Sequence, residues 1–393
     1  MMSAIRPTKV TEKEIEKRLA LLARPEMNFI KGARLAENAF AGYSFASAWV
    51  NCPAATDGAP QVDLPPMSVS GHAVSPLLAL RLLVMEAVER HSSVFVGSET
   101  TCRTKISEVN SPWTPEGISK NTILRWVEGR QLTGQDRVLV PAGFVYLGYG
   151  MEDEPLYIIA DSTGCAAGED YEKATYRGLL EVVERDALAV WWYNRVRCPT
   201  LDFEDDELLS AISSALHTHR RSLTLVDITN DLGIPVVVAF SADGEGRKIY
   251  FGCAADICYR QAARRAASEM LQFWFWGRIS GDPPDRARWL GSESLQTQSW
   301  LQSQKRKTLP PATIEEVSVS ESAEHLARSG YNTLVVDLTR PYIGIPVVRV
   351  LVPGLLSHTK HSGHGRLLEV PLKMGWLQKQ RELRELMPYC CPL

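Results

Sequence analysis

Gly178-Leu-Leu-Glu-Val-Val-Glu-Arg185 is the stretch on which the fold turns. It has a helical period, no breaker, and two carboxylates in otherwise apolar surroundings. It has an upstream echo in Leu83-Val-Met-Glu-Ala-Val-Glu-Arg90. In each copy the carboxylates, Glu181 with Glu184 and Glu86 with Glu89, are three residues apart and share one helix face. A weaker third copy, Ala266-Ala-Ser-Glu269-Met-Leu-Gln272, carries glutamine in place of the second carboxylate. One reading is a solvated face with i,i+4 ion pairs, such as Glu86 with Arg90. The neighbours oppose it: Leu82 to Val88 and Leu179 to Val183 are apolar apart from the glutamates, so both helices read as buried nearly all round. Buried carboxylates stay ionised only beside cations or donors. Hard oxygen ligands from three helices suit magnesium, which in turn bridges nucleotide phosphates. Such a site needs no P-loop, and the chain has no G-x-x-x-x-G-K-[ST].

A second echo lies outside the helices. Asp227-Ile-Thr-Asn-Asp-Leu-Gly-Ile-Pro-Val-Val237 is matched by Asp337-Leu-Thr-Arg-Pro-Tyr-Ile-Gly-Ile-Pro-Val-Val348. Each follows a strand-like run and leads through a turn into a β-branched run, which reads as strand, turn, strand, twice. The fold class is therefore α+β (mixed α/β), with a pseudo-symmetric core of repeated strand pairs and Glu-bearing helices. Asp161-Ser-Thr-Gly-Cys-Ala-Ala-Gly168 follows a strand-like run, Leu156 to Ala160, and precedes the Glu181 helix. Such a small-residue loop is either an ordinary tight turn or a place where backbone N–H groups approach a phosphate. Residues 1–65 read as an N-terminal segment with one amphipathic helix, Glu12 to Leu22, and a less regular stretch ending at Pro65-Pro66. Residues 66–393 read as the main domain, with an exposed, variable excursion around 282–320.

At 45% hydrophobic and 23% charged residues the chain has the composition of a globular protein with a sizeable core. A net charge of -3 gives no electrostatic reason for nucleic acid or an anionic membrane as partner. The N-terminus has no apolar secretory core and no run reaches the roughly 20 residues of a bilayer span, so a cytoplasmic location is expected. The eight cysteines form no C-x-x-C pair and read as buried small hydrophobes. His358, His361 and His364 are spaced like metal ligands, but Gly363 and Gly365 favour a loop.

These motifs together resemble the YcaO family. Ser162-Thr-Gly-Cys-Ala-Ala-Gly168 followed by Gly178 to Ala187 is similar to its central ATP-binding motif. Ser70-Gly71 with Met85 to His91 resembles its first motif, and Arg265 to Gln272 its third. Trp126 to Gly129, Val140-Pro-Ala142, Ile345 to Val350 and Val352-Pro-Gly354 are further landmarks, in the family's order from about Ser68 onward. Thr163 stands where the family loop commonly has asparagine, and Glu169 where asparagine often follows the glycine. The resemblance implies Ser162, Glu86, Glu89, Glu181, Glu184, Arg185, Glu269 and Gln272 as nucleotide contacts, the five glutamates holding Mg2+. Azoline-forming members often end in a proline-rich tail whose carboxylate reaches the site; Met387-Pro-Tyr-Cys-Cys-Pro-Leu393 matches in part, which makes Leu393 a catalytic candidate against a frayed end. The implied activity is ATP-dependent phosphorylation of a peptide amide oxygen, giving thiazoline or oxazoline rings from Cys, Ser or Thr. Thioamidation and a non-catalytic peptide-docking scaffold are the alternatives. Implied partners are a precursor peptide, a separate leader-peptide-recognition protein and a flavin-dependent dehydrogenase oxidising azoline to azole; a homodimer is compatible with the resemblance.

Overall fold

The computed structural model describes residues 24–54, 64–111, 117–134, 136–151, 153–155, 160–303, 305–311, 318–357 and 365–393. The expected helix Glu12 to Leu22 and the three histidines at 358, 361 and 364 lie outside the described residues, as does most of the strand-like run before Asp161. Contacts divide the chain into two units, Met1–Leu179 with Ser318–Pro353 and Leu180–Val317 with Gly354–Leu393.

The first unit opens with an antiparallel sheet of β1 (Ile30–Phe40), β2 (Tyr43–Val50) and β3 (Met67–Ala73), in that order. Residues 30–50, expected to be less regular, are therefore two long strands. Register shifts between Lys31 and Arg34 and between Ala36 and Phe40 break the period-two alternation that would have announced β1. The connecting turn is Ala41-Gly42, both at positive φ, which is hairpin geometry with an alanine where glycine or asparagine usually signals it. Helix α1 (Pro76–Ser92) starts on a Ser75 cap with proline in its first turn. It buries Leu80, Leu83, Val84, Ala87 and Val88 in the core that also holds Leu35, Ala46, Val50 and Val69 of the sheet. A second sheet runs β4 (Cys102–Lys105), β5 (Ile123–Gln131), β13 (Leu334–Asp337), β14 (Val347–Leu351), β7 (Cys165–Ala167), with β6 (Arg137–Pro141) also paired to β5. Helix α2 (Tyr171–Asn194) begins in this unit, and its residues from Leu180 onward belong to the second.

The second unit is built on a sheet ordered β11 (Tyr250–Ala255), β10 (Val236–Ser241), β9 (Thr224–Asp227), β8 (Thr200–Asp202), β12 (Arg306–Thr308). Every residue of β10 and β11 is buried. Helix α3 (Glu207–Thr218) is capped by Asp206, and α4 (Tyr259–Ser280) lies against β10 and β11. Helix α5 (Pro284–Ser292) and the segment after it, expected as an exposed excursion, are exposed or half-buried at most described positions but carry buried aromatic anchors. Trp289 and Trp300 are buried with Trp192, the Trp289 and Trp300 rings 5.2 and 5.6 Å from it. Proline, serine and glutamine dominate the local composition and hide these anchors. Helices α6 (Val319–Arg328), in the first unit, and α7 (Arg366–Lys373), in the second, follow, and a single helical turn, Ala142–Val145, succeeds β6 in the first unit. Among the described residues no helix is long and apolar enough to cross a membrane.

Both predicted strand pairs form, β9 with β10 and β13 with β14. They share turn chemistry: Asp227 and Asp337 accept from the amides of Thr229 and Thr339 (3.0 and 2.8 Å), and each threonine hydroxyl accepts from the next strand's amide, Val236 or Val347. A further echo joins strand to helix. A Cβ on Gly71 of β3 would sit 2.1 Å from the Ala79 carbonyl oxygen on α1; one on Gly252 of β11 would sit 2.3 Å from that of Ala266 on α4. Both helices press backbone to backbone on their strand, which only glycine permits. Gly252→Ala must therefore push α4 off the sheet. We expect a loss of at least about 2 kcal/mol in denaturant unfolding; a change within about 0.5 kcal/mol would contradict the close approach.

Candidate functional site

The same close approach places the glutamates. On α1, the Glu86 carboxylate accepts from the Ser70 amide, next to Gly71, at 2.8 Å, and Arg90 lies 3.6 Å from its other oxygen. On α4, Glu269 accepts from the Cys253 amide, next to Gly252, at 2.7 Å. Each glutamate is thus drawn toward the strand its helix covers, and the third, weaker copy of the sequence motif behaves like the first.

In the first unit, Glu89 is half-buried on α1. The Ser162 loop is held from several sides: Asp161 accepts from the Thr163 amide at 2.9 Å, and the Gly164 carbonyl accepts from Val350 at 2.8 Å. Arg349, buried on β14, donates to the Asp161 carbonyl and to Cys165 Sγ (3.0 Å). Burial pushes the Cys165 thiol up, with Arg349 opposing and Glu89 adding. Arg349 sits inside the Ile345 to Val350 landmark, and its position in that motif was the one available signal of its role.

In the second unit, Glu184 of α2 is only 6% exposed and accepts from the Ala255 amide at 3.3 Å. Arg185 lies 3.6 Å from Glu184 and 3.4 Å from Glu181. Burial pushes the Glu184 carboxyl up to about 8; Arg185 pulls the other way, and Glu269 and Glu181 add to the rise. Burial also works against the Arg185 guanidinium, but Glu184, Glu181 and Glu269 outweigh it and hold its pKa high. Gln272, one turn beyond Glu269, is buried. The structure thus gathers Glu181, Glu184, Arg185 and Glu269 into one electrostatic cluster in this unit.

The chain's last residues lie in this same unit. Trp192 Nε1 donates to the Tyr389 carbonyl at 2.7 Å, and the Met387 amide donates to the Tyr193 carbonyl at 2.8 Å. Leu386, Met387 and Cys391 are buried. Burial pushes the Cys391 thiol well up, with Arg185 opposing and Glu269 adding, so the tail runs within electrostatic reach of the glutamate cluster. Sequence reasoning named Leu393 but had no signal for the residues that hold it.

No three acidic, thiol or imidazole groups among the described residues form a ready metal cage. A magnesium–nucleotide asks for less, because Mg2+ is held by one or two carboxylates, with phosphate oxygens and waters completing its octahedron. Glu184 and Glu269 offer hard oxygens on buried or half-buried side chains, and a cation there would offset the burial that keeps Glu184 protonated. The donor set fits magnesium.

The family model for "YcaO cyclodehydratase, ATP- and Mg2+-binding" matches residues 70–356. An uncharacterised protein of Methanothermobacter thermautotrophicus is 28% identical over 331 residues, covering 77% of this chain and 84% of that protein. A solved heterocyclase in complex with substrate and cofactor is similar at 26% identity and TM-score 0.78, over 88% of this chain; the chain spans about half of that protein, 53%. The YcaO protein of Methanopyrus kandleri bound with AMPPCP and Mg2+ shares the fold at TM-score 0.70 and 21% identity, covering 87% of this chain and 89% of that one.

Proposed function

Because the chain belongs to the YcaO family, with ATP and Mg2+ as its cofactors, we propose that it activates backbone amides of a peptide in the cytoplasm. The product we favour is an azoline ring closed from a Cys, Ser or Thr side chain. The observation that carries this reading is the buried Glu184, held at Ala255 beside Arg185 and Glu269 with the chain's own tail alongside. Similarity to a heterocyclase over most of this chain supports ring formation in particular.

ATP supplies the phosphoryl group that turns an amide oxygen into a leaving group. Glu86, Glu89 and Ser162 in the first unit, and Glu181, Glu184, Glu269 and Gln272 in the second, are the proposed nucleotide and magnesium contacts. Their work is positioning and charge neutralisation. Arg185 keeps the glutamates beside it from repelling one another, and its guanidinium is fixed by Glu181 and Glu184. The Leu393 carboxylate is the proposed acceptor for the proton shed by the attacking side chain. The precursor peptide is bound with a separate leader-recognition protein, and a flavin-dependent dehydrogenase would consume the azoline.

The reading is tested by incubating the enzyme with Mg2+, ATP and a library of synthetic peptides containing Cys, Ser or Thr, and weighing the products. We expect peptide-stimulated phosphate release with loss of one water per modified residue. A mass gain equal to the difference between sulfur and oxygen, seen when sulfide is added, would replace ring formation by thioamidation. Peptide binding with no phosphate release would make the chain a scaffold.

A further inference from the structure

Arg286 lies on α5, in a stretch whose sequence gives no hint of function. Its side chain is only 11% exposed, and its guanidinium sits 4.1 Å above the Phe273 ring. Asp282 steadies it from 3.8 Å and is itself held by the Tyr250 hydroxyl, which donates at 2.8 Å. Such a built-in arginine needs a reason, and its Nε supplies one by donating to the Pro392 carbonyl at 3.3 Å.

Earlier parts of the tail are held by the end of α2 and the residue after it. Met387 bonds to Tyr193, Tyr389 to Trp192, and the Leu386 carbonyl accepts from Arg195 at 3.4 Å. Past Cys391 these contacts stop. Among the described residues Arg286 is the side chain that bonds to the last two positions, while the Leu393 amide turns back to the Cys391 carbonyl at 2.9 Å. The Leu393 carboxylate makes no ion pair among the described residues, so its oxygens stay available.

We infer that Arg286 is the positioning residue for the C-terminal carboxylate: it grips the peptide group one residue before the chain end and fixes where that carboxylate points. The inference rests on the reading of Leu393 as a proton acceptor, and adds the residue that aims it. Arginine suits the task because its packed, planar guanidinium keeps its direction, whereas lysine would offer a mobile point charge.

The test compares wild type, Arg286→Met, Arg286→Lys, a chain lacking residues 389–393, and that truncation combined with Arg286→Met. Hydrogen exchange, read by mass spectrometry on the C-terminal peptide, reports the anchor without any substrate. We expect the Cys391 and Leu393 amides to exchange at least about tenfold faster in Arg286→Met, with α4 unchanged and Arg286→Lys intermediate. Turnover of whichever library peptide the wild type modifies should fall at least about tenfold with the KM for ATP unchanged. The double variant should be no slower than the truncation alone. Unchanged exchange in Arg286→Met overturns the anchor. A truncation that leaves turnover intact overturns the tail's catalytic role instead, and a double variant slower than the truncation shows that Arg286 acts elsewhere. If Arg286→Met does not fold, Arg286→Lys carries the same comparison.

Discussion

Exchange of Glu184 for glutamine is expected to abolish magnesium-dependent ATP hydrolysis while leaving the fold intact. Glutamine keeps the volume of Glu184 and an oxygen for the Ala255 amide. At pH 7 it also mimics the neutral form that burial already favours, the carboxyl being pushed up to about 8. Protonation of Glu184 stabilises the nucleotide-free protein fully below the ordinary carboxylate range, and that contribution is lost as pH rises through about 8. The variant should therefore melt no lower than wild type at pH 7 and higher at pH 9. What it loses is the anionic oxygen for the cation, and hydrolysis should fall by about two orders of magnitude or more. Phosphate release and a thermal melt on the same preparation decide it. Wild-type hydrolysis in a folded Glu184→Gln protein would remove this residue from the site.

The second large effect concerns the chain end. Adding a short C-terminal tag should lower peptide turnover at least about tenfold and leave ATP affinity within about twofold, because the proposed nucleotide contacts lie on α1, α2 and α4 and in the Ser162 loop, not in the chain end. The tail is packed rather than frayed: Met387 and Cys391 are buried, and Pro388 and Pro392 limit the entropy lost in ordering it. An extension keeps those contacts and displaces only the carboxylate. Deleting the last five residues also removes buried Cys391, so some loss of stability accompanies that variant. A tagged enzyme that modifies peptide at the untagged rate would show the Leu393 carboxylate to be without function.

The parts of this architecture legible in the sequence are those with an unbroken period. The Glu-x-x-Glu-Arg helices announce themselves because apolar residues flank the glutamates on both sides, and the Asp-x-Thr turns at Asp227 and Asp337 repeat with the strands that follow them. The hairpin from Ile30 to Val50 was hidden by its bulges and by an Ala-Gly turn. The aromatic cluster around Trp289 and Trp300 was hidden by polar neighbours. Gly71 and Gly252, which let α1 and α4 approach their strands and so bring Glu86 and Glu269 to backbone amides, left a readable trace only at Ser70-Gly71. Arg286 acts through a contact far away in sequence, which no local pattern carries, and Arg349 through contacts to which only its place in the Ile345 to Val350 motif pointed.

The most direct measurement is a calorimetric titration of a non-hydrolysable ATP analogue into the wild-type chain, with and without Mg2+, from pH 6 to pH 9. The buried carboxyl of Glu184 must lose its proton to ligate the cation, and burial holds that proton up to about pH 8. The account predicts saturable binding only with Mg2+. Affinity should rise with pH, by up to about tenfold per unit below 8 and levelling above it, and the rise should be absent in Glu184→Gln. Equal affinity with and without Mg2+, or a Glu184→Gln protein that binds as tightly as wild type across the range, would contradict it.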